Sequence, residues 1–290
     1  VSAVAQLSDE TVTALLAHVG PAEAPAADVR GLRAVHRAFV ARVPYDGLAV
    51  QLGESGPLSV EPLVARVLHG GRGGYCFEIN TVLMALLEAL GFTVERRQAI
   101  VGERGARAAG ERTNHLALVV DVGGERFLAD AGWGEGPLDP LPLREGPFSA
   151  GSFTYSLERE PDGGWWIAGH EWGSAPGFWC SDAPAELEDF AEHHRRLSTT
   201  PESPFVRTLV VQRPQDDRIV TLRARTLFVD GPGLRERRVL DDAAELAATL
   251  HAEFGIDPAT LGDDRLRRVW ARACAQHEDF LRAAELQLSR

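Results

Sequence analysis

Two consecutive glycines, Gly123 and Gly124, sit inside the alternating stretch NHLALVVDVGGERFLADAGWG at positions 114 to 134, and they fix more geometry than any other feature of the chain. A glycine pair between alternating apolar residues is the signature of a two-residue hairpin turn, because both central positions need positive φ. Taking that turn pairs Val122 with Glu125, Asp121 with Arg126, Val119 with Leu128 and Ala117 with Asp130. Extended further, the register sets His115 opposite Gly132. Side chains in a strand alternate between faces, so His115, Ala117, Val119 and Asp121 share a face with Arg126, Leu128 and Asp130. The opposite face, from Leu116, Leu118, Val120 and Val122 to Phe127, Ala129 and Ala131, is predicted core. His115 and Asp130 become diagonal neighbours, about 7–8 Å apart at Cα, within reach of their side chains.

An imidazole and a carboxylate on one face suggest proton chemistry if a nucleophile lies nearby. The stretch GRGGYCFEIN, at 71 to 80, offers Cys76, one of three cysteines in the chain. Glycines at 70, 71, 73 and 74 lead into an apolar helical pattern that begins at Cys76. Unpaired amides and the helix dipole at such a start favour a thiolate, and the glycines would let backbone amides face a developing oxyanion. Arg72 adds positive charge. The competing reading is a buried, inert cysteine beside a structural turn. Phosphate-loop and dinucleotide readings fail, since GxxxxGK[ST] is absent and the glycines follow a helical pattern where a dinucleotide site needs a strand.

Around these motifs the periodicity changes twice. Helical patterns run over SDETVTALLAHVG up to Gly20, from Val29 to Val43 before Pro44, from Val60 to Leu68, and from Cys76 to Leu90. Beyond Gly91, FTVERRQAIV and the Gly123–Gly124 hairpin read as strands, as does SFTYSLEREPDGGWWIAGHEW with a turn near Asp162, Gly163 and Gly164. A short helix is expected over Ala185 to Leu197, strands at 205–213 and 218–229, and helices at 241–253 and 264–288. The predicted organisation is an α+β chain in three parts: a helical domain at 1–91 bearing the thiol, a β-rich domain at 92–200 bearing His115 and Asp130, and an α/β domain at 201–290.

Composition removes several function classes. With 42 acidic against 30 basic side chains, the formal charge of −12 argues against a broad nucleic-acid surface. Apolar runs stop well short of a membrane span and no signal-like segment opens the sequence, so a cytoplasmic protein is expected. Cys76, Cys180 and Cys274 are too dispersed for a disulfide framework or a metal cluster, and the histidines lack HExxH spacing, so no metal is expected. His193 and His194 read as part of a solvated helix face.

RGGYCFEIN at 72–80, TNHLALVVDV at 113–122 and FLADAGWG at 127–134 together resemble the arylamine N-acetyltransferase family, and RVPYDGL at 42–48 and STTPESPF at 198–205 extend the likeness. The resemblance implies a helical bundle, a β-barrel-like domain and a C-terminal α/β domain around a core like that of cysteine proteases. It implies Cys76 as acyl-accepting nucleophile, His115 as base and Asp130 as orienting acid. It further implies ping-pong transfer from acetyl-CoA, a substrate rather than a tightly held cofactor, to an aromatic amine or hydrazine. Two departures stand out: Pro44-Tyr45-Asp46-Gly47 where the family has Pro-Phe-Glu-Asn, and Trp133 where it has phenylalanine. By resemblance, Asp46 pairs with Arg72 to support the approach to Cys76. Tyr75, Phe77 and Trp133 are candidate support or lining residues. The same triad serves amide synthases that use a large biosynthetic acyl thioester. A thiol hydrolase, a transglutaminase and a noncatalytic interaction protein remain the other readings.

Overall fold

The computed structural model describes residues 7–20 and 24–288. Its N-terminal part is helical. α1 (Asp9–Val19) is capped by Ser8, whose side chain accepts the Thr11 amide. α2 (Val29–Arg42) is capped in the same way by Asp28, which accepts the Gly31 amide. A two-residue strand β1 (Tyr45–Asp46) and the short α3 (Leu48–Leu52) then lead to α4 (Val60–Gly70) and α5 (Cys76–Ala89). Every residue of α5 from Cys76 to Leu87 is buried, which makes it the central helix of the largest core.

Eight strands follow: β2 (Thr93–Val101), β3 (His115–Val122), β4 (Glu125–Leu128), β5 (Leu141–Pro142), β6 (Gly146–Ala150), β7 (Phe153–Arg159), β8 (Trp165–Ala168) and β9 (Gly177–Ala185). They form one antiparallel sheet in the order β5-β4-β3-β2-β9-β8-β7-β6, a near-barrel. Gly123 and Gly124 take φ of +63° and +85°, and the register Val122↔Glu125, Asp121↔Arg126 and Val119↔Leu128 matches the hairpin expected from the sequence. The expected core face joins the α5 core, with Leu116, Leu118, Val120, Phe127, Ala129 and Ala131 all in it. Ala117 and Leu128, on the other face, enter a second core lined by Phe153, Tyr155, Trp165 and Phe178. β3 is therefore buried on both sides over most of its length.

After a 3-10 turn (Leu187–Phe190) come α6 (Ala191–Thr199), α7 (Pro204–Arg207), β10 (Val210–Pro214), β11 (Ile219–Arg223), β12 (Thr226–Gly231), β13 (Leu234–Val239), α8 (Ala243–Phe254) and α9 (Pro258–Leu288). α9 is interrupted at Gly262, whose φ of +72° and ψ of 161° are not helical. β10 to β13 form a five-stranded sheet completed by β1, which pairs Tyr45 with Gln212 and Asp46 with Val211.

The sequence expectation differs from the structure in identifiable places. The segment expected as one strand from 205 begins as α7, because Ser203 caps a Pro-initiated turn by accepting the Phe205 amide. The stretch 218–229 is a tight hairpin around Ala224, which alone among the described non-glycine residues has positive φ, at +50°. The helix expected over Ala185 to Leu197 starts only at Ala191, since Gly177–Ala185 is strand β9, clamped between β2 and β8. No described helix is long and apolar enough to cross a membrane.

Candidate active site

α5 sets the position of Cys76 and, one helical turn later, of Asn80. The turn before it is tied down from both sides. The Asp46 side chain accepts the amides of Leu48 (3.0 Å) and Gly74 (2.9 Å), while the Asp46 amide donates to the Gly74 carbonyl at 2.9 Å. The expected Asp46–Arg72 ion pair is therefore replaced by a carboxylate turned onto backbone amides. The ion pair supporting the turn is Arg66–Glu78 at 3.0 Å, and Glu78 also accepts the Tyr75 amide at 3.2 Å. Arg72 is buried, with its Nε lacking an acceptor among the described residues. The amides of Gly74 and Tyr75 are thus occupied, contrary to the expectation that the glycine turn holds them ready for an oxyanion. The donors left at the helix start are the first-turn amides of Cys76 and Phe77.

β3 delivers His115 and the segment beyond β4 delivers Asp130, both buried. β4 ends at Leu128, so Asp130 lies past the ladder, yet the diagonal relation survives: His115 Nε2 and Asp130 Oδ2 are 2.6 Å apart. The other carboxylate oxygen, Oδ1, accepts from Asn80 Nδ2 at 2.7 Å and from the Gly132 amide at 2.8 Å. Asn80 also donates to the Leu116 carbonyl at 2.6 Å and accepts the Ala131 amide at 2.9 Å. Burial opposes ionisation of Asp130, but the His115 charge and these hydrogen bonds outweigh it and hold its pKa below the ordinary carboxylate value. Burial likewise opposes charge on His115, and the Asp130 carboxylate with the neighbouring Cys76 sulfur outweighs it, pushing the ring up to about 10. With Nε2 held by the carboxylate, Nδ1 is the ring nitrogen not engaged by Asp130. The Cys76 thiol lies 3.5 Å from the Asn114 carbonyl, in the residue preceding His115. Asn114 itself is pinned to β2, accepting the Val101 amide at 2.8 Å and donating to its carbonyl at 3.0 Å.

Cys76, His115 and Trp133 line one cavity of about 540 Å³, together with Tyr45, Phe205 and Gln212 among others. Trp133 is buried and packs edge-on to Phe178 (5.2 Å between centroids) and Tyr155 (5.7 Å), and Phe178 in turn lies 5.1 Å from the His115 ring. Tyr75 and Phe77 sit elsewhere. Both are fully buried behind the helix start, Tyr75 against Phe77, Phe205 and His194 and Phe77 also against Phe190. Tyr75 donates its hydroxyl to His194 Nδ1 at 2.6 Å, and His194 Nε2 donates to the Gly56 carbonyl at 2.7 Å. His194, expected on a solvated face, is thus a buried strut, while its neighbour His193 is partly exposed. Sequence reasoning missed Asn80 and Glu135. The spacing of four from Cys76 marks Asn80 as sharing its helix face; no local signal marks Glu135.

A family model described as N-acetyltransferase matches residues 28–260. The chain belongs to the arylamine N-acetyltransferase family. Among relatives in this family, an arylamine N-acetyltransferase of Mycolicibacterium smegmatis is 34% identical over 263 residues, covering 89% of this chain and 94% of that protein. The structure of the Mycobacterium abscessus arylamine N-acetyltransferase superposes with a TM-score of 0.81 at 28% identity, covering 91% of this chain and 94% of the other. The Mycobacterium marinum arylamine N-acetyltransferase, solved in complex with CoA, superposes with a TM-score of 0.80 at 28% identity, covering 90% and 98%.

Proposed function

We propose that this N-acetyltransferase family member moves an acetyl group from acetyl-CoA, through a thioester on Cys76, to the nitrogen of an aromatic amine or hydrazine. The observation that carries this reading is the 2.6 Å His115–Asp130 pair, buried at the wall of the cavity that Cys76 lines. The relatives' names and the CoA complex of the Mycobacterium marinum protein support the choice of donor and acceptor. The core then works like that of a cysteine protease, with acyl transfer replacing hydrolysis.

In this mechanism the Cys76 sulfur attacks the acetyl carbonyl carbon while its proton resides on His115. The C–S bond to CoA breaks, and the imidazolium returns a proton to the leaving sulfur. The amine nitrogen next attacks the acetyl-cysteine, His115 takes the amine proton, and collapse to the amide restores the thiol. Asp130 keeps the ring oriented and favours its charged form in both halves. In this reading the first-turn amides of Cys76 and Phe77 would face the carbonyl oxygen as its charge develops.

The test is intact-protein mass after acetyl-CoA alone: one added acetyl group, located at Cys76 and absent in Cys76→Ala. Acetyl transfer to an amine by Cys76→Ala at the rate of the unaltered protein overturns the thioester route. A second reading, an amide synthase fed by an extended acyl thioester, draws on a further cavity of about 450 Å³ that shares Glu135, Ser174 and Arg223 with the first. Specificity constants for acetyl-CoA against long-chain thioesters, measured with the same amine, separate the two.

A further inference from the structure

The second cavity lies under the C-terminal sheet and α9, lined by Thr226, Phe228, Arg237 and His277 among others. The two cavities meet at one short segment, with Glu135 and Arg223 also lining both. Glu171, Trp172 and Gly173 face the second cavity, Ala175 faces the first, and Ser174 lines both. Trp172 of this segment packs edge-on to Phe153, 5.8 Å between centroids, the Gly173 amide donates to the His170 carbonyl at 3.0 Å, and one side chain holds the rest. Glu135 is buried, and its Oε1 accepts the Ser174 and Ala175 amides, each at 2.8 Å. Its Oε2 accepts the Ser174 amide at 2.9 Å, the Ser174 hydroxyl at 3.0 Å and Gln212 Nε2 at 3.2 Å. The Glu135 backbone carbonyl also accepts from His170 Nε2 at 3.0 Å, so both ends of the segment close on one residue. A Cβ at Gly173 would lie 3.0 Å from Glu135 Oε1, which leaves the segment little room to shift.

We propose that Glu135 is a positioning residue that holds 171–175 as a wall between the cavities, and thereby limits the acceptor at Cys76 to one compact ring. The size limit rests on the acetyltransferase reading; the wall itself does not. A buried carboxylate held by amide and hydroxyl donors, with no ion-pair partner among the described residues, needs both oxygens as acceptors. Glutamine in its place turns an NH2 group toward N–H donors. The segment then keeps one acceptor instead of two, its hold loosens, and the two spaces are expected to join.

The experiment is Glu135→Gln, read in three ways. Amide hydrogen exchange over 171–176 is expected to speed up by about tenfold or more, while α5 and β3 stay as protected as before. The ratio of Cys76 alkylation rates, a fluorescein-sized maleimide over N-ethylmaleimide, is expected to rise about tenfold. The ratio of kcat/KM for a two-ring amine over a one-ring amine is expected to rise by a similar factor. A merely structural role for Glu135 would lower the melting temperature and all substrates together, leaving both ratios where they were. Unchanged ratios, or unchanged exchange in the segment, overturn the proposal. If the unaltered protein transfers no acetyl group, the acetyltransferase reading falls, and the maleimide ratio alone still decides the wall. Glu135→Asp, whose shorter side chain draws the carboxylate back from the Ser174 and Ala175 amides, serves if Glu135→Gln does not fold; a maleimide ratio equal to that of the unaltered protein overturns the proposal there too.

Discussion

Asn80 stands four residues after Cys76 on α5 and donates its amide to Asp130 Oδ1 at 2.7 Å, so the helix that presents the thiol also fixes the carboxylate that orients the imidazole. Thiol and carboxylate come from segments more than 50 positions apart, and one side chain spans them. Asn80→Ala is expected to destabilise the protein by about 1–3 kcal/mol, because the Ala131 amide and one lone pair of Asp130 lose a buried partner. Acetylation of Cys76 should slow by about 10- to 100-fold, by analogy with the loss of groups that orient catalytic ligands. Urea melts and single-turnover mass spectrometry measure the two effects separately. Acylation at the original rate in a folded variant would contradict the orienting role.

Asp130→Asn tests the charge rather than the contact. The amide cannot stabilise an imidazolium and presents an NH2 group to one of its donors, so the ring is free to adopt the wrong tautomer. Loss of about 10³–10⁴-fold in acetyl transfer is expected, with the circular dichroism spectrum retained.

The His115–Asp130 pair ties stability to pH with a definite sign. An unfolded histidine titrates near 6.5, whereas folded His115 is pushed up to about 10, so between those values the folded state binds more protons than the unfolded state. The pair's contribution is present in full below pH 6.5 and is lost as pH rises through about 10. Asp130, held low, adds the opposite limb: its contribution disappears as pH falls through its depressed pKa. Denaturant melts of the unaltered protein should weaken across the alkaline window, and His115→Ala should flatten that slope.

Gly132→Ala should disable the site by crowding. A methyl group there would lie 2.6 Å from Asn80 Nδ2 and 2.8 Å from the Cys76 Cα, and the latter belongs to a helix backbone that cannot yield. The expected cost is about 1–3 kcal/mol of stability with a disproportionate fall in Cys76 acetylation. A thermal melt and the same mass assay check both, and normal acetylation at reduced stability would show that the loop gives way instead.

The hairpin was readable because two local rules act on it together: positive φ at Gly123 and Gly124, and strict alternation on either side. Those rules extend to Asp130 although β4 stops at Leu128, because the chain continues in line for one further bond, Ala129 N to Leu118 O, before turning. Cys76 at a helix start was readable from the glycines before it and the apolar period after it. Asp46 departs from expectation because the family resemblance implies an ion pair with Arg72, whereas tertiary packing offers it two backbone amides. His194 was misread because AEHHRRLST is polar at nearly every position, and only the distant Tyr75 and Gly56 make its burial favourable. β9 escaped notice since Pro184 and small residues hide a strand that is defined by its neighbours on both sides. Glu135 was invisible for the same reason as Asp46: its partners at 174, 175 and 212 are gathered by the fold, not by spacing.

The strand pairing of Tyr45 with Gln212 has a consequence for the newly made chain. Asp46, which steadies the turn before Cys76, is itself seated by a strand that leaves the ribosome more than 160 residues later. His115 and Asp130 also follow the thiol in order of synthesis. On the acetyltransferase reading, a nascent polypeptide lacks the assembled surroundings of Cys76 until the last third has emerged, and the competence to accept an acyl group would arrive only with long-range closure, among the slower events of folding. Susceptibility of Cys76 to acylation would in that sense act as a timestamp of completed biogenesis, distinguishing finished molecules from arrested or clipped ones.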